Sequence, residues 1–173
     1  MGARWSCSIA SLLVMATLGA TSQVRAADEL RVTGDVKRPL TLDVAALREM
    51  PAAAQTSARL TREVSGQPQT AAVVKGVRLL ALLEQAGLAE RDRFDWRKTV
   101  VIASARDGYR VVFSWPELAN TAAGSQVMVV YERDGAPLGA QEGPLTIESP
   151  GDVRSGPRHV KWLSGIEVKV LRD

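Results

Sequence analysis

The chain has 173 residues, 46% hydrophobic and 24% charged, with a net charge of +3. That is room for one domain with a real core and gives no reason to expect two. The charge excess is small and spread out, without the dense basic stripe that nucleic-acid readers carry, so nucleic acid is not an expected partner.

Residues 1–26 read as an export signal. Arg4 supplies the positive start, Ile9–Leu18 the apolar run, and Val24-Arg25-Ala26 a small-residue cleavage site. The apolar run is too short to span a bilayer. Cleavage after Ala26 removes two arginines and no acid, which lowers the charge from +3 to +1. It leaves residues 27–173 as a single domain, expected in a bacterial periplasm. There is no twin-arginine pair, which points to export as an unfolded chain. Cys7, the only cysteine, lies inside the signal, so the mature chain has no thiolate for a disulfide, a metal or nucleophilic attack.

Leu30 and Val32 alternate with Arg31 and Thr33, which predicts a first strand over Glu29–Gly34, followed by a short run at Leu40–Leu42. Asp43 is a predicted N-cap for a helix over Val44–Met50, stopped by Pro51. Gln55–Val64 reads as a strand, Ser65–Gln69 as a loop, and Thr70–Val74 as extended again. Leu79, Leu80, Leu82 and Leu83 give Arg78–Ala86 an apolar helix face, closed by Gly87. Phe94 and Trp96 are expected to anchor a polar connector on the core. Thr99–Ala103 and Tyr109–Phe113 form a predicted hairpin through Ala105-Arg106-Asp107-Gly108, whose glycine tolerates the positive φ such a turn needs. Ser114 and Glu117, with Pro116 between them, have the spacing of a capping box. Gln126–Glu132 is a predicted buried strand turned back by Arg133-Asp134-Gly135. Leu145–Ser149 and Leu163–Leu171 are strands flanking a Pro/Gly-punctuated loop. The pattern is α+β, with many short strands paired largely antiparallel and a few short helices.

That last loop carries Asp152, Arg154, Arg158, His159 and Lys161. Such a density of cationic and protonatable groups suits an anion or a heterocycle, although a solvated basic connector has the same composition. Other chemistry finds little support. With one histidine there is no paired-histidine metal site, and a Ser-His-Asp triad would have to use His159 without the strand-turn-helix elbow that exposes a nucleophile. No phosphate loop is present and no catalytic residue is assigned.

Several pieces in order resemble the molybdopterin-binding domain of the sulfite oxidase family. They are Val32-Thr33-Gly34, Pro39–Leu42, Gly76–Gly87, Ala105–Tyr109, Phe113–Leu118, Tyr131–Leu138, Gly143–Ile147, Pro150-Gly151-Asp152, Arg158–Leu163 and Ile166-Glu167-Val168. The resemblance implies a mixed, layered β-sheet domain with a few short helices and a pterin or molybdopterin-like ligand in a groove between loops. By position it implies that Arg158, His159 and Lys161 contact the ligand, and that Asp107, Gly108 and Tyr109 face the same groove. Guanidinium and ammonium groups suit a phosphate, a carboxylate accepts from the pterin's N–H edge, and an aromatic ring stacks on its face. Trp162 is read first as a core residue of the last strand. The family's enzymes bind molybdenum through a cysteine before the G-V-x-L helix, whereas Thr61–Gln67 reads TREVSGQ. Serine's pKa is far too high for Ser65 to be an easy substitute. Molybdenum is therefore not expected, and the leading expectation is a periplasmic ligand sensor or binding partner of a membrane signalling protein. A molybdopterin-dependent oxidoreductase, or a subunit of one, is the alternative, and a scaffold that only pairs with another protein is a third reading.

Overall fold

The computed structural model describes residues 28–64, 67–154 and 156–172. Within them the chain forms two sheets. One has the order β2-β1-β10-β5-β6, built from β1 (Leu30–Gly34), β2 (Leu40–Leu42), β5 (Thr99–Ala105), β6 (Arg110–Ser114) and β10 (Leu163–Val170). The other has the order β3-β4-β7-β8, from β3 (Gln55–Val64), β4 (Gln67–Arg78), β7 (Met128–Arg133) and β8 (Ala136–Pro137), with β9 (Thr146–Glu148) also paired to β7. The β1–β10 pair is parallel and every other strand pair is antiparallel.

The main core lies where the two sheets and the helices meet, with Leu30, Leu82, Leu83, Phe113, Ile147 and Ile166 almost fully buried. Each such side chain contributes roughly 1.5–3 kcal/mol of transfer free energy. Strand β5 shows how the sequence does this. Its burial alternates along TVVIASA, so Thr99, Val101, Ala103 and Ala105 face inward. A smaller apolar cluster, Val74, Met128 and Val130 with Ala58, Leu60 and Leu138, covers the opposite face of the second sheet.

The helices follow local signals. Asp43 caps α1 (Val44–Arg48) by accepting from the Ala46 amide at 2.8 Å. Asp43→Ala is expected to lower stability by about 1 kcal/mol, read as a shift of the urea midpoint. Helix α2 (Leu79–Ala86) buries Leu79, Leu82, Leu83 and Ala86 and ends at Gly87, φ 69°, whose N–H donates to Leu83. Helix α3 (Trp115–Asn120) has the full capping box, with Glu117 N donating to Ser114 Oγ and Ser114 N to Glu117 Oε2.

The differences from expectation have local causes. The extended run predicted over Thr70–Val74 is longer at both ends, since β4 runs unbroken from Gln67 to Arg78. Gly76 marks a bulge and a close approach: a Cβ there would sit 2.0 Å from the Val129 carbonyl oxygen. Phe94 does not anchor on the core. Its ring is 40% exposed and lies between the Arg93 and Arg97 guanidiniums, each 4.4 Å from its centre, while Trp96 packs against the core as expected. The predicted loop at Ser65–Gln69 shortens to the Ser65–Gly66 tip, which lies outside the described residues, as does the predicted signal segment. Asp134 (φ 50°) and Gly135 (φ 80°) make the turn between β7 and β8, with both φ values positive, as a tight hairpin requires. No helix among the described residues is long and apolar enough to cross a membrane.

Two carboxylates tie the ends of the first sheet. Asp35 accepts from the Val170 amide and pairs with Arg172, and these contacts, in that order, hold its pKa below the usual 3.8. Asp95 is held low first by the Arg91 amide, against burial, and then by the Asp92 amide and Lys98. Both folded-state values lie below the unfolded ones. The stability they contribute is therefore present above about pH 4 and is lost as pH falls through the folded values. The double variant Asp35→Asn, Asp95→Asn should flatten the acid limb of the urea midpoint against pH. An unchanged limb would contradict this assignment.

Candidate functional site

The loop between β9 and β10 is fastened at both ends by backbone. Val160 and Ile147 exchange hydrogen bonds at 2.9 and 3.2 Å, and Leu163 N donates to Leu145 at 2.9 Å. Trp162 takes a left-handed backbone, φ 51°, with its N–H on Glu142 O at 2.7 Å and its carbonyl accepting from the Arg106 amide at 3.0 Å. Its half-buried ring lies under the Arg106 guanidinium and against Gly143, where a Cβ would come within 2.7 Å of the indole. It is thus a wedge between loops, standing just before β10 and not in it.

With the loop so fixed, Arg158 and His159 serve two different clusters. Arg158 donates to both oxygens of Asp152 and to Glu117 Oε1, and its guanidinium stacks 4.9 Å from the centre of the Phe113 ring. The Asp152 bonds first, and then Glu117, hold this guanidinium charged even more firmly than usual. Glu117 is also the capping-box residue of α3, so Arg158 joins the loop to that helix's start. Beside it, the Tyr109 hydroxyl donates to Pro157 O at 2.6 Å, while the Tyr109 amide donates to Asp107 Oδ1 at 2.9 Å. The structure thereby brings the Asp107-Gly108-Tyr109 turn and the Arg158–Lys161 stretch together. Asp107, Gly108, Tyr109 and Lys161 are all exposed, and Lys161 makes no ion pair among the described residues.

His159 belongs to the second cluster. Its Nε2 lies 3.4 Å from Glu148 Oε1 and 3.8 Å from Glu142 Oε1. Between those carboxylates Arg133 donates twice to Glu142, at 2.9 Å, and once to Glu148, at 2.8 Å. Burial pulls the Arg133 pKa down, but its bonds to Glu148 and Glu142 outweigh that and raise it. One guanidinium against two carboxylates leaves this cluster with a net negative charge while the imidazole is neutral. The sequence reading missed Arg133, Glu142 and Glu148. The available signal was Glu148 itself, a charge in the apolar run LTIES, and it is only 6% exposed.

Three buried side-chain polar atoms make no hydrogen bond among the described residues: Thr146 Oγ1 and Ser149 Oγ, and His159 Nε2, which stands 3.4 Å from Glu148 Oε1 without one. Thr146 and Glu148 are two apart on β9 and so share a face of the strand. An unmet buried polar group costs about 1–3 kcal/mol, and three of them fall within one strand and its neighbouring loop.

A family model described as the oxidoreductase molybdopterin binding domain matches residues 19–171, nearly the whole chain. The chain belongs to this family. The match begins before the predicted cleavage point at Ala26. No curated protein matches the chain. Among solved structures it is similar to the sulfane dehydrogenase SoxCD from Paracoccus pantotrophus, with TM-score 0.59 and 17% identity over 83% of this chain. It spans only 38% of that relative's chain. At that identity the likeness shows the fold, and the expected α+β class of mixed sheets with few short helices is what the chain has.

Membership in an oxidoreductase-type molybdopterin-binding family suggests a molybdopterin-type cofactor and lends no support to the expected lack of molybdenum. The residues suit the organic part of such a group: unpartnered hydroxyls and an imidazole nitrogen offer donors and acceptors to a heteroatom-rich ring, and Lys161 is free of ion pairs among the described residues. They do not offer a protein thiolate. The one cysteine is Cys7, and Ser65, like Cys7, lies outside the described residues.

Proposed function

We propose that this domain is a periplasmic binding protein that takes up a pterin or molybdopterin-type ligand without ligating its metal and presents the loaded state to a membrane signalling partner. The observation that carries the reading is the set of unpartnered buried atoms at Thr146, Ser149 and His159, beside a sequence whose only cysteine falls in the predicted leader. His159 and Thr146 hydrogen-bond the ring edge, Lys161 takes the phosphate, and Tyr109 lies along the ring face. Arg158 holds the loop in place through Asp152 and Glu117, with three of its five N–H donors on those carboxylates. Arg158→Ala leaves those carboxylates unneutralised and is expected to cost about 2 kcal/mol, read from the urea midpoint.

A second reading has specific support. The family is an oxidoreductase one and SoxCD is a dehydrogenase, so a molybdopterin-dependent oxidoreductase, or a subunit of one, is at least as well supported by likeness. A bound molybdenum centre would supply two-electron redox chemistry, and the chain's own contribution would remain pterin binding and orientation.

Titration of the purified protein with neopterin monophosphate, which carries both a pterin ring and a phosphate, followed by the ligand's fluorescence, tests the binding site common to both readings. Saturable binding is expected, weakened about fivefold by Lys161→Ala and by Tyr109→Ala. No saturable binding, or variants that bind like the parent, would overturn the site assignment.

A further inference from the structure

At one end of the first sheet β1 and β10 finish and β5 begins. Backbone bonds gather several charged segments there. Lys37 N donates to Gly87 O at 2.8 Å, Arg38 N to Ala86 O at 3.0 Å and Ala89 N to Asp35 O at 2.9 Å. Leu171 N donates to Lys98 O at 2.9 Å, which ties the chain after β10 to the connector before β5. Lys37, Arg38, Arg91, Arg93 and Arg97 are all exposed, and none of them makes an ion pair among the described residues. Asp35 and Asp95 are taken by Arg172 and Lys98, so Glu90 and Asp92 are the exposed carboxylates left beside these five cations.

Arg93 and Arg97 are held by an apolar ring and not by carboxylates. Each guanidinium lies 4.4 Å from the centre of Phe94, which is 40% exposed, and Leu171, next to Lys98, is 52% exposed. The ring is presented on a fixed turn. Phe94 N donates to Asp92 Oδ1 at 2.7 Å, its carbonyl accepts from Arg97 N at 2.9 Å, and Trp96 packs against the core behind it. An exposed ring flanked by free guanidiniums suits the headgroup layer of a bilayer. The ring sits at the apolar boundary while the guanidiniums take phosphate oxygens.

Position favours a lipid surface over a protein. Tyr109 and the Arg158 loop lie beyond the other end of β5, which spans six residue steps from Thr99 to Ala105, about 20 Å. A protein that reads the ligand state needs contact with that loop. A tether needs only to leave the loop free, and this end does so.

We propose that this end of the domain docks on a bilayer of anionic phospholipid, with Arg93 and Arg97 on the phosphates and Phe94 at headgroup level. The inference does not depend on the pterin reading, and its test contains no pterin.

The test is co-sedimentation of the purified protein with vesicles of phosphatidylcholine and phosphatidylglycerol, beside vesicles of phosphatidylcholine alone. Retention on immobilised poly-L-glutamate is measured in parallel. Binding is expected to the anionic vesicles only, and it should fall steeply as salt is raised. The double variant Arg93→Ala, Arg97→Ala should weaken it about thirtyfold. Phe94→Ala should weaken vesicle binding about threefold without changing retention on poly-L-glutamate. Arg154→Ala, which removes an exposed cation from the loop between β9 and β10, should bind vesicles like the parent. All three variants alter exposed side chains without ion pairs among the described residues, so their thermal midpoints should stay near the parent's. No binding to the anionic vesicles, equal binding to both kinds, or an Arg154→Ala effect as large as that of the double variant would each overturn the proposal. Retention on poly-L-glutamate without vesicle binding would also overturn it and give this surface to an acidic protein.

Discussion

Arg133→Met is expected to lower the stability of the domain by about 3 kcal/mol or more, as a drop in the urea midpoint followed by circular dichroism. Methionine keeps much of the side chain's length, so little packing is lost. What goes is the only cation hydrogen-bonded to Glu142 and Glu148 among the described residues, and their side chains are 17% and 9% exposed. Their mutual repulsion and desolvation then stand uncompensated, since His159 Nε2 is no closer than 3.4 Å to either carboxylate. The same physics predicts recovery. Adding Glu142→Gln and Glu148→Gln to the variant removes the stranded charges and should restore most of the loss, because a buried ion pair is worth far less against a neutral replacement than against a broken one. A loss below about 1 kcal/mol in the single variant would mean that water already screens the cluster.

Gly76→Ala is expected to be at least as damaging. The added Cβ would lie 2.0 Å from the Val129 carbonyl oxygen and 2.8 Å from Val130 Cα, and both are backbone. A side chain can rotate away, but here β4 and β7 would have to part at the bulge where their register shifts. A cost of about 3 kcal/mol, or failure to fold, is anticipated. Gly108 is the control. It has φ 91° with open space around it, so Gly108→Ala meets only backbone strain, about 1 kcal/mol. For a domain of this size each kcal/mol moves the melting temperature by about 2–4 °C, so the two variants should separate clearly in a thermal scan.

What the sequence made legible is what local chemistry dictates. Asp43 and the Ser114/Glu117 box place helix starts, Gly87 ends α2, and Asp107-Gly108 turns a hairpin, because each satisfies or frees specific backbone groups. The role of Gly76 was not legible, because a glycine that lets two strands touch looks like any other until the partner strand is known. At the site, nearness of Tyr109 to the Arg158 loop followed from family resemblance and not from periodicity. The division of labour between Arg158 and His159 was not legible at all. It depends on Glu117 and Asp152 on one side and Arg133, Glu142 and Glu148 on the other, and those residues converge only through sheet pairing and the Ile147–Val160 bridge. Of the cations on the basic loop, Arg158 is neutralised in the fold by Asp152 and Glu117, while Arg154 and Lys161 make no ion pair among the described residues, which centres the ligand argument on Lys161 and the atoms beside His159.

The central claim is that the domain binds a pterin-type ligand without ligating a metal. It is met most directly by protein purified natively from its own host, analysed at once for molybdenum and for acid-released pterins by mass spectrometry. The account predicts a pterin in near-stoichiometric amount with molybdenum at trace level. Molybdenum equimolar with the protein would contradict it, establish the oxidoreductase reading, and send the search for the metal's ligand to Ser65.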